Sequence, residues 1–504
     1  MVKNIVANFV GQFWSILSGF LFIPLYIHYL GFESYSIISF TLIITALMRV
    51  LDGGLTATLS REFARNDNSL ITKNRIFRTL ETSYIIIIIV VILLIILLAD
   101  FISGHWLILS DINQEKVSYL LKIISFDIGF QMILSFYIGG FLGLEKQVKA
   151  NVFRIGWGVA RNGFVVIIIM VMPTLEAYFL WQTFSTILFT ILLKISLDKE
   201  LGGKNKIIFK PKIERDIFKL IWRFAAGMFL ISLVASVNTQ LDRIVISKLL
   251  PIENLGYYTL AVTLAMGIIS IINPISVALL PRFTNFYSLG KINEATKLFN
   301  KINLIVAILI FAFALNLAFF SEDLIYIWTG NKMLAANSYY LLPIMASSYA
   351  MISMQIIPYN IAIANGYTKL NNILGILSLF ITLPGYWVAV KYYGAIGAAV
   401  VFCLVQTLTT IIYIYIINKK FINEGLNQLF FKQIIAPFII ALIIAFAFYS
   451  LPFHKINNKI ILLSFIGFST LTTLIGTVLL LLPKKERKEL MNFNFKSLMQ
   501  KHNI

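Results

Sequence analysis

LMRVLDGGLTATLSREFARND, residues 47–67, opens inside an apolar run and then sets Arg49 and Asp52 three positions apart, beside the pair Gly53–Gly54. Three apart on a helix is one face, so guanidinium and carboxylate can reach each other. What that face meets is decided by the rest of the chain. Of 504 residues, 59% are hydrophobic and 13% charged, with a mean hydropathy of +0.85. A soluble domain carries about 25% charged residues. The polar surface needed to cover a globule in water is missing, so the sequence reads as an all-α polytopic membrane protein.

Fourteen apolar segments approach the ~20 residues that a spanning helix needs. They fall at roughly 5–28, 35–58, 80–100, 117–143, 152–172, 175–195, 221–249, 256–279, 302–320, 339–363, 373–391, 394–417, 434–451 and 460–482. The first is too long for the apolar region of a cleaved signal peptide, and a second follows at once. With the N-terminus placed in the cytoplasm, alternation puts 29 Lys and Arg on that side and 5 on the other. That asymmetry predicts an even number of helices with both termini cytoplasmic. The formal charge of +19 is therefore a topology signal and no sign of a nucleic-acid partner. The single Cys403 excludes an internal disulfide, and the four histidines lack metal-ligand spacing. No Walker A sequence is present, so no ATP-hydrolysing site and no cofactor is expected.

The chain repeats itself. LDGGLTATLSRE (51–62) and INPISVALLPRF (272–283) end the second and eighth segments, aligning Asp52 with Asn273 and Arg61 with Arg282. The expected organisation is an N-terminal lobe of six helices (1–196), a cytoplasmic linker (197–220), a second six-helix lobe (221–420), an appended helix pair (421–483) and a basic cytoplasmic tail (484–504). Two such halves inserted the same way up place a substrate between them near the midplane.

Six charges lie well inside the segments: Arg49, Asp52, Asp127, Arg161, Asp242 and Arg243. Each costs about 2.5–3.5 kcal/mol at a helix centre, so they face a partner, a wet cavity or each other. Ser232, Ser236, Thr239, Arg243 and Ser247 form one polar stripe, with Asn238 and Asp242 beside it. Asn8, Gln12 and Ser15 do the same on the first helix, and Asp127 and Gln131 on the fourth. Arg154 and Arg161, seven apart, share a face of the fifth. Pairing within the set is the structural alternative: Asp52 clamping Arg49, Asp127 meeting Arg161, Asp242 meeting an arginine of another helix. Even so, Arg49, Arg154, Arg161, Arg223 and Arg243 outnumber the three aspartates. A cavity with surplus arginine suits a phosphate-bearing anion. Gly53–Gly54, Pro24, Pro274, Pro358 and Pro384 are expected to let helices bend.

YLGFESYSIISF (29–40), LDGGLTATLSRE (51–62), QLDRIVISKLLPIENLGYYTLA (240–261) and YYGAIGAAVVF (392–402) recur in an order that resembles the polysaccharide-exporter branch of the multidrug/oligosaccharidyl-lipid/polysaccharide exporter superfamily, and within it the O-antigen flippases. The resemblance implies a MATE-like bundle with a central cavity and a multi-pass place in the bacterial inner (cytoplasmic) membrane. It implies transfer of an undecaprenyl-diphosphate-linked glycan between leaflets, with other polysaccharide-assembly membrane proteins as neighbours and with helices 13–14 flanking a groove for the lipid tail. Arg49, Arg61, Arg154, Arg161, Arg243 and Arg282 would hold the diphosphate and sugar. Coupling to an H+ or Na+ gradient would use Asp127 or Asp242. Peptidoglycan-precursor flippases carry charges in helix 1, and none stands here between Lys3 and Glu33, which argues against that cargo. A cation-coupled multidrug exporter of the same fold is the second expectation. A polysaccharide polymerase or ligase, which needs a large periplasmic loop, is the third.

Overall fold

The computed structural model describes residues 14, 17–52, 54–65, 69–202, 213–425, 427–452, 458–484 and 487, without the side chains of 215, 217–228, 230 and 231. Among the described residues it is helical throughout, apart from one isolated bridge between Ile108 and Pro251. Among the described residues eleven helices are long and apolar enough to cross a membrane, against the fourteen expected of the whole chain. The difference has identifiable sources. Much of segment 5–28 and most of the early side chains of 221–249 lie outside the described set. Segments 373–391 and 394–417 fall in one run, Lys369–Ile417, which Gly394 breaks with φ 60° and ψ −150°, a conformation open to glycine.

The chain forms two compact units, Met1–Thr259 with Gly375–Val401, and Leu260–Leu374 with Phe402–Ile504. The first contains α1 (Ile23–Leu30), α2 (Phe32–Met48), α3 (Leu55–Ala64), α4 (Leu70–Phe101), α5 (Gln114–Gly143), α6 (Gln147–Gly158), α7 (Phe164–Val171), α8 (Leu175–Glu200), α9 (Arg215–Leu249) and the start of α10 (Ile252–Ser288). Helix α5 is the hub. Its Gly129, Gly139 and Gly143 leave room where α4 and α3 cross it: a Cβ on Gly139 would lie 2.6 Å from Thr56 Cγ2, and one on Gly143 would strike the Ser60 backbone. Small residues four apart let membrane helices approach closely. Phe77, Tyr84, Phe136 and Tyr137 stack where α4 meets α5.

In the second unit, α11 (Ile292–Phe319) packs against α14 (Leu341–Ala364), α16 (Ala436–Tyr449) and α17 (Lys459–Leu481). Buried Asn316 ties α11 to α17, accepting from Ser469 at 2.6 Å and donating to Thr473 at 3.4 Å. The outer faces of α16 and α17 carry Ile443, Ile460 and Leu480, all strongly exposed, as lipid contact requires.

Of the helix breaks expected at the two repeat positions, one is present and one is not. Segment 35–58 is not one helix. It ends at α2, passes through a 3₁₀ turn at Arg49–Asp52, and restarts after left-handed Gly54 (φ 74°). Its repeat partner does the opposite: α10 runs unbroken through Pro274 and Pro281. Gly54 takes the left-handed conformation at which one helix ends before the next begins, whereas Pro274 and Pro281 lie inside α10 and each removes a backbone donor without ending it.

Candidate functional site

Two of the deep arginines of the first unit gather at Asp127, which α5 holds 3% exposed: Arg161 directly and Arg49 through Gln131. Its partner Arg161 stands in a π-helical turn, Val159–Gly163, between α6 and α7. The guanidinium meets the carboxylate two-on-two, Nη1 to Oδ1 at 2.6 Å and Nη2 to Oδ2 at 2.8 Å. Gln131 Nε2 donates to Oδ2 at 2.9 Å, and Thr186 Oγ1 on α8 stands 2.8 Å from Oδ1 while accepting from Arg161 Nη1 at 2.9 Å. The Trp157 ring lies 5.4 Å from the guanidinium carbon. Three successive carbonyls of the widened turn each accept from a side chain: Ala160 from Trp181 at 2.8 Å, Arg161 from Gln182 at 3.0 Å and Asn162 from Tyr26 at 2.8 Å. A π-turn placed at a functional site with its carbonyls satisfied is a specified feature of a helix.

Arg161 is therefore neutralised by its own acid. The seven-residue spacing that put Arg154 and Arg161 on one face assumed a regular helix, and Arg161 stands instead in the wider π-turn. Arg154 turns to Asn151 instead, Nη1 donating to Oδ1 at 3.4 Å.

Arg49 and Asp52 do not pair. Arg49, on the exposed side of its turn, donates to Gln131 Oε1 at 3.3 Å, joining the relay Arg49–Gln131–Asp127–Arg161. Asp52 faces forward and accepts from the Thr56 backbone at 3.3 Å and from its hydroxyl, capping the first turn of α3. A carboxylate at a helix N-terminus satisfies free N–H groups and complements the dipole, which outweighs the (i, i+3) contact with Arg49.

Asp242 is occupied as well. Its Oδ1 accepts from the Arg243 backbone at 2.8 Å and its Oδ2 from Tyr258 at 2.6 Å. Among the described residues the Arg243 side chain donates to Gln240 at 3.3 Å, and its buried Nε has no partner. Asn238 on the adjacent row bonds Ser378 at 2.9 Å, and Ser247 accepts from Trp106 at 3.1 Å.

Among the described residues, then, Arg49, Arg154 and Arg243 have no carboxylate within 4.0 Å. Of the other named cations, Arg61 is exposed near the end of α3, and Arg282 is exposed on α10 in the second unit. The Arg223 side chain and the stripe Asn8–Gln12–Ser15 lie outside the described residues. No group of three or more His, Cys, Asp or Glu that could hold a metal occurs among the described residues.

Three ionic residues were not read as buried from the sequence. Glu33, 9% exposed, accepts from three consecutive backbone N–H groups, Ser110, Asp111 and Ile112, at 2.8, 3.0 and 3.1 Å. Glu81 on α4 and Lys194 on α8 form a buried ion pair at 2.7 Å. The signal available for the pair was two charges at the margins of long apolar runs, where a helix continuing past the apolar window would bury them.

A family model described as polysaccharide biosynthesis protein matches residues 1–287, and one described as MatE matches residues 228–388. A Shigella flexneri protein named as an O-antigen transporter is 20% identical over 405 residues, covering 79% of this chain and 93% of that protein. Among solved structures, the lipid II flippase MurJ in an inward closed conformation superposes with a TM-score of 0.73 at 15% identity, over 95% of this chain and 99% of that one. An inward-facing multidrug resistance MATE family transporter of the MOP superfamily gives 0.64 at 14% identity, over 81% and 94%. At these identities the structural likeness is one of fold.

Proposed function

The chain belongs to the polysaccharide biosynthesis protein family, and on that premise we propose that it is a flippase, not an enzyme: it moves an undecaprenyl-diphosphate-linked glycan from the cytoplasmic to the periplasmic leaflet of the bacterial inner membrane. The O-antigen transport named for the Shigella flexneri relative supports the cargo class. The observation that carries the reading is the set Arg49, Arg154 and Arg243, on membrane helices or the turn between two of them, with no carboxylate in contact among the described residues. Uncompensated guanidinium groups are costly in a membrane, and a diphosphate supplies the missing counter-charge with oxygens suited to arginine's fork. Alternation between the leaflets exchanges that anion for water in the empty state.

The test is deletion and complementation in the native host. Loss of surface polysaccharide with accumulation of its lipid-linked repeat unit, both reversed by the wild-type gene, is the expected result. Normal surface glycan in the deletion strain would overturn it. The match of the MatE model over residues 228–388 favours a second reading, a cation-coupled multidrug exporter. It is distinguished by a changed drug susceptibility in the same strain with its glycan intact.

A further inference from the structure

We propose that three carboxamides, Gln131, Asn151 and Gln240, set the charge selectivity of the first unit: each holds an arginine in place through a neutral oxygen and leaves its charge for an anion, an inference that rests on the diphosphate cargo proposed above. Each of the three arginines without a carboxylate in contact among the described residues has an amide oxygen instead. Arg49 Nη2 donates to Gln131 Oε1 at 3.3 Å, Arg154 Nη1 to Asn151 Oδ1 at 3.4 Å and Arg243 Nη1 to Gln240 Oε1 at 3.3 Å. Arg161, the deep arginine that is neutralised, meets the Asp127 carboxylate.

A carboxamide has two ends, and two of these three are turned by an acceptor one turn earlier on the same helix. Gln131 Nε2 donates to Asp127 Oδ2 at 2.9 Å, and Asn151 Nδ2 donates to the Gln147 carbonyl at 2.9 Å. With the nitrogen so engaged, the oxygen faces the arginine. Gln131 and Asn151 are 6% and 1% exposed, while Arg49 is exposed and Arg154 half-buried. The anchor is thus packed away and the charge it holds is more open.

The choice of amide over acid matters because the two have nearly the same shape. A carboxylate at any of these positions would hold its arginine as well and cancel it, as Asp127 does to Arg161. The acids nearest in the chain are occupied elsewhere: Asp52 accepts from Thr56, Asp127 from Arg161, and Asp242 from Tyr258 and the Arg243 backbone. A guanidinium held by an amide keeps its charge and its fork for phosphate oxygens. One held by an acid must first break an ion pair.

The test measures binding of farnesyl diphosphate, and of farnesol as the same chain without phosphate, to the full-length protein purified in phospholipid-free detergent. The readout is the ratio of the two dissociation constants, which lost packing alone does not move. Gln131→Glu, Asn151→Asp and Gln240→Glu should each lower the preference for the diphosphate about 10- to 100-fold, as expected for one charge-assisted contact removed. Gln131→Met and Asn151→Leu remove the anchor but leave the charge, and should lower it less. A purely structural role predicts the reverse order, since an acid bonds arginine more strongly than an apolar group does. Asn293→Asp, exposed in the second unit, should match the wild type. A wild-type ratio in any acid variant that folds, or a deeper loss in the matching apolar variant, would overturn the proposal. Should Gln131→Glu fail to fold, Gln131→Met decides: its ratio should fall between those of the wild type and Arg49→Gln, and equality with either refutes the role of the amide. If Arg49→Gln, Arg154→Gln and Arg243→Gln all keep the wild-type ratio, the anion reading falls and this inference with it. Loss in those three with wild-type ratios in the acid variants strikes the amides alone.

Discussion

Replacing Asp127 with asparagine separates structural charge from functional charge. The substitution keeps the size of the side chain and a carbonyl oxygen for Gln131, but removes the counter-charge from Arg161, whose side chain is only 18% exposed. Breaking a buried pair from one side costs about 3–5 kcal/mol, because the remaining ion is left uncompensated. Here the lost partner made two parallel contacts at 2.6 and 2.8 Å, so the upper half of that range, about 4–5 kcal/mol, is expected. That is a large fraction of a typical net stability of about 5–15 kcal/mol. Removing both charges in Asp127→Asn/Arg161→Gln should recover most of the loss. The assay is chemical unfolding of the purified protein, arranged as a double-mutant cycle, with surface-glycan export measured on the same variants. A coupling below about 1 kcal/mol would refute the description of Arg161 as structurally neutralised. So would a double variant that folds at wild-type level but exports nothing, since Arg161 would then be serving the cargo.

Arg49→Gln and Arg243→Gln should behave in the opposite way. Neither guanidinium has a carboxylate to orphan, so stability stays within about 1 kcal/mol, while export falls about 10- to 100-fold if each provides a charge-assisted bond worth about 1.5–3 kcal/mol to the anion. Surface glycan against membrane protein level checks this. Gly143→Leu places a side chain against the Ser60 backbone and should cost about 1–3 kcal/mol by overpacking, read as a lower unfolding midpoint. Glu33→Ala strands the amides of 110–112 and should open that loop to protease, whereas Glu33→Gln, which keeps one acceptor oxygen, should show an intermediate rate of cleavage. Asn316→Leu removes two bonds to α17. Interhelical bonds of this kind in membranes average about 0.6 kcal/mol and reach about 1.7, so a loss above about 4 kcal/mol would contradict the packing described for the second unit.

The sequence disclosed most of what depends on composition and period. Long apolar runs gave the membrane class. The ions misplaced in apolar helices drew attention to Asp127, Arg161 and Arg243. What stayed hidden depends on departures from regular helix. The π-turn at Val159–Gly163 exists because Trp181, Gln182 and Tyr26, from two other helices, satisfy its carbonyls, and no local pattern announces that. The reach of Asp52 to Thr56 depends on a left-handed glycine between them. Apolar windows starting at 80 and ending at 195 placed Glu81 and Lys194 at membrane edges, but α4 starts at Leu70 and α8 continues to Glu200, which draws both into the packed interior. Glu33 read as part of a connector because its partners are 77–79 positions away.

The widened turn also makes the first unit sensitive to length. Each residue advances a helix by about 100°, so deleting Val159, Ala160, Asn162 or Gly163 would restore a regular ladder by rotating the whole of α6 against α7. Trp157, Asn151 and Arg154 would then point a quarter-turn or more away from their present neighbours, although hardly a charge or an apolar group had been altered. A frame-preserving loss of a single codon here would be silent in hydropathy and in net charge, yet it would misalign the electrostatics of the entire bundle.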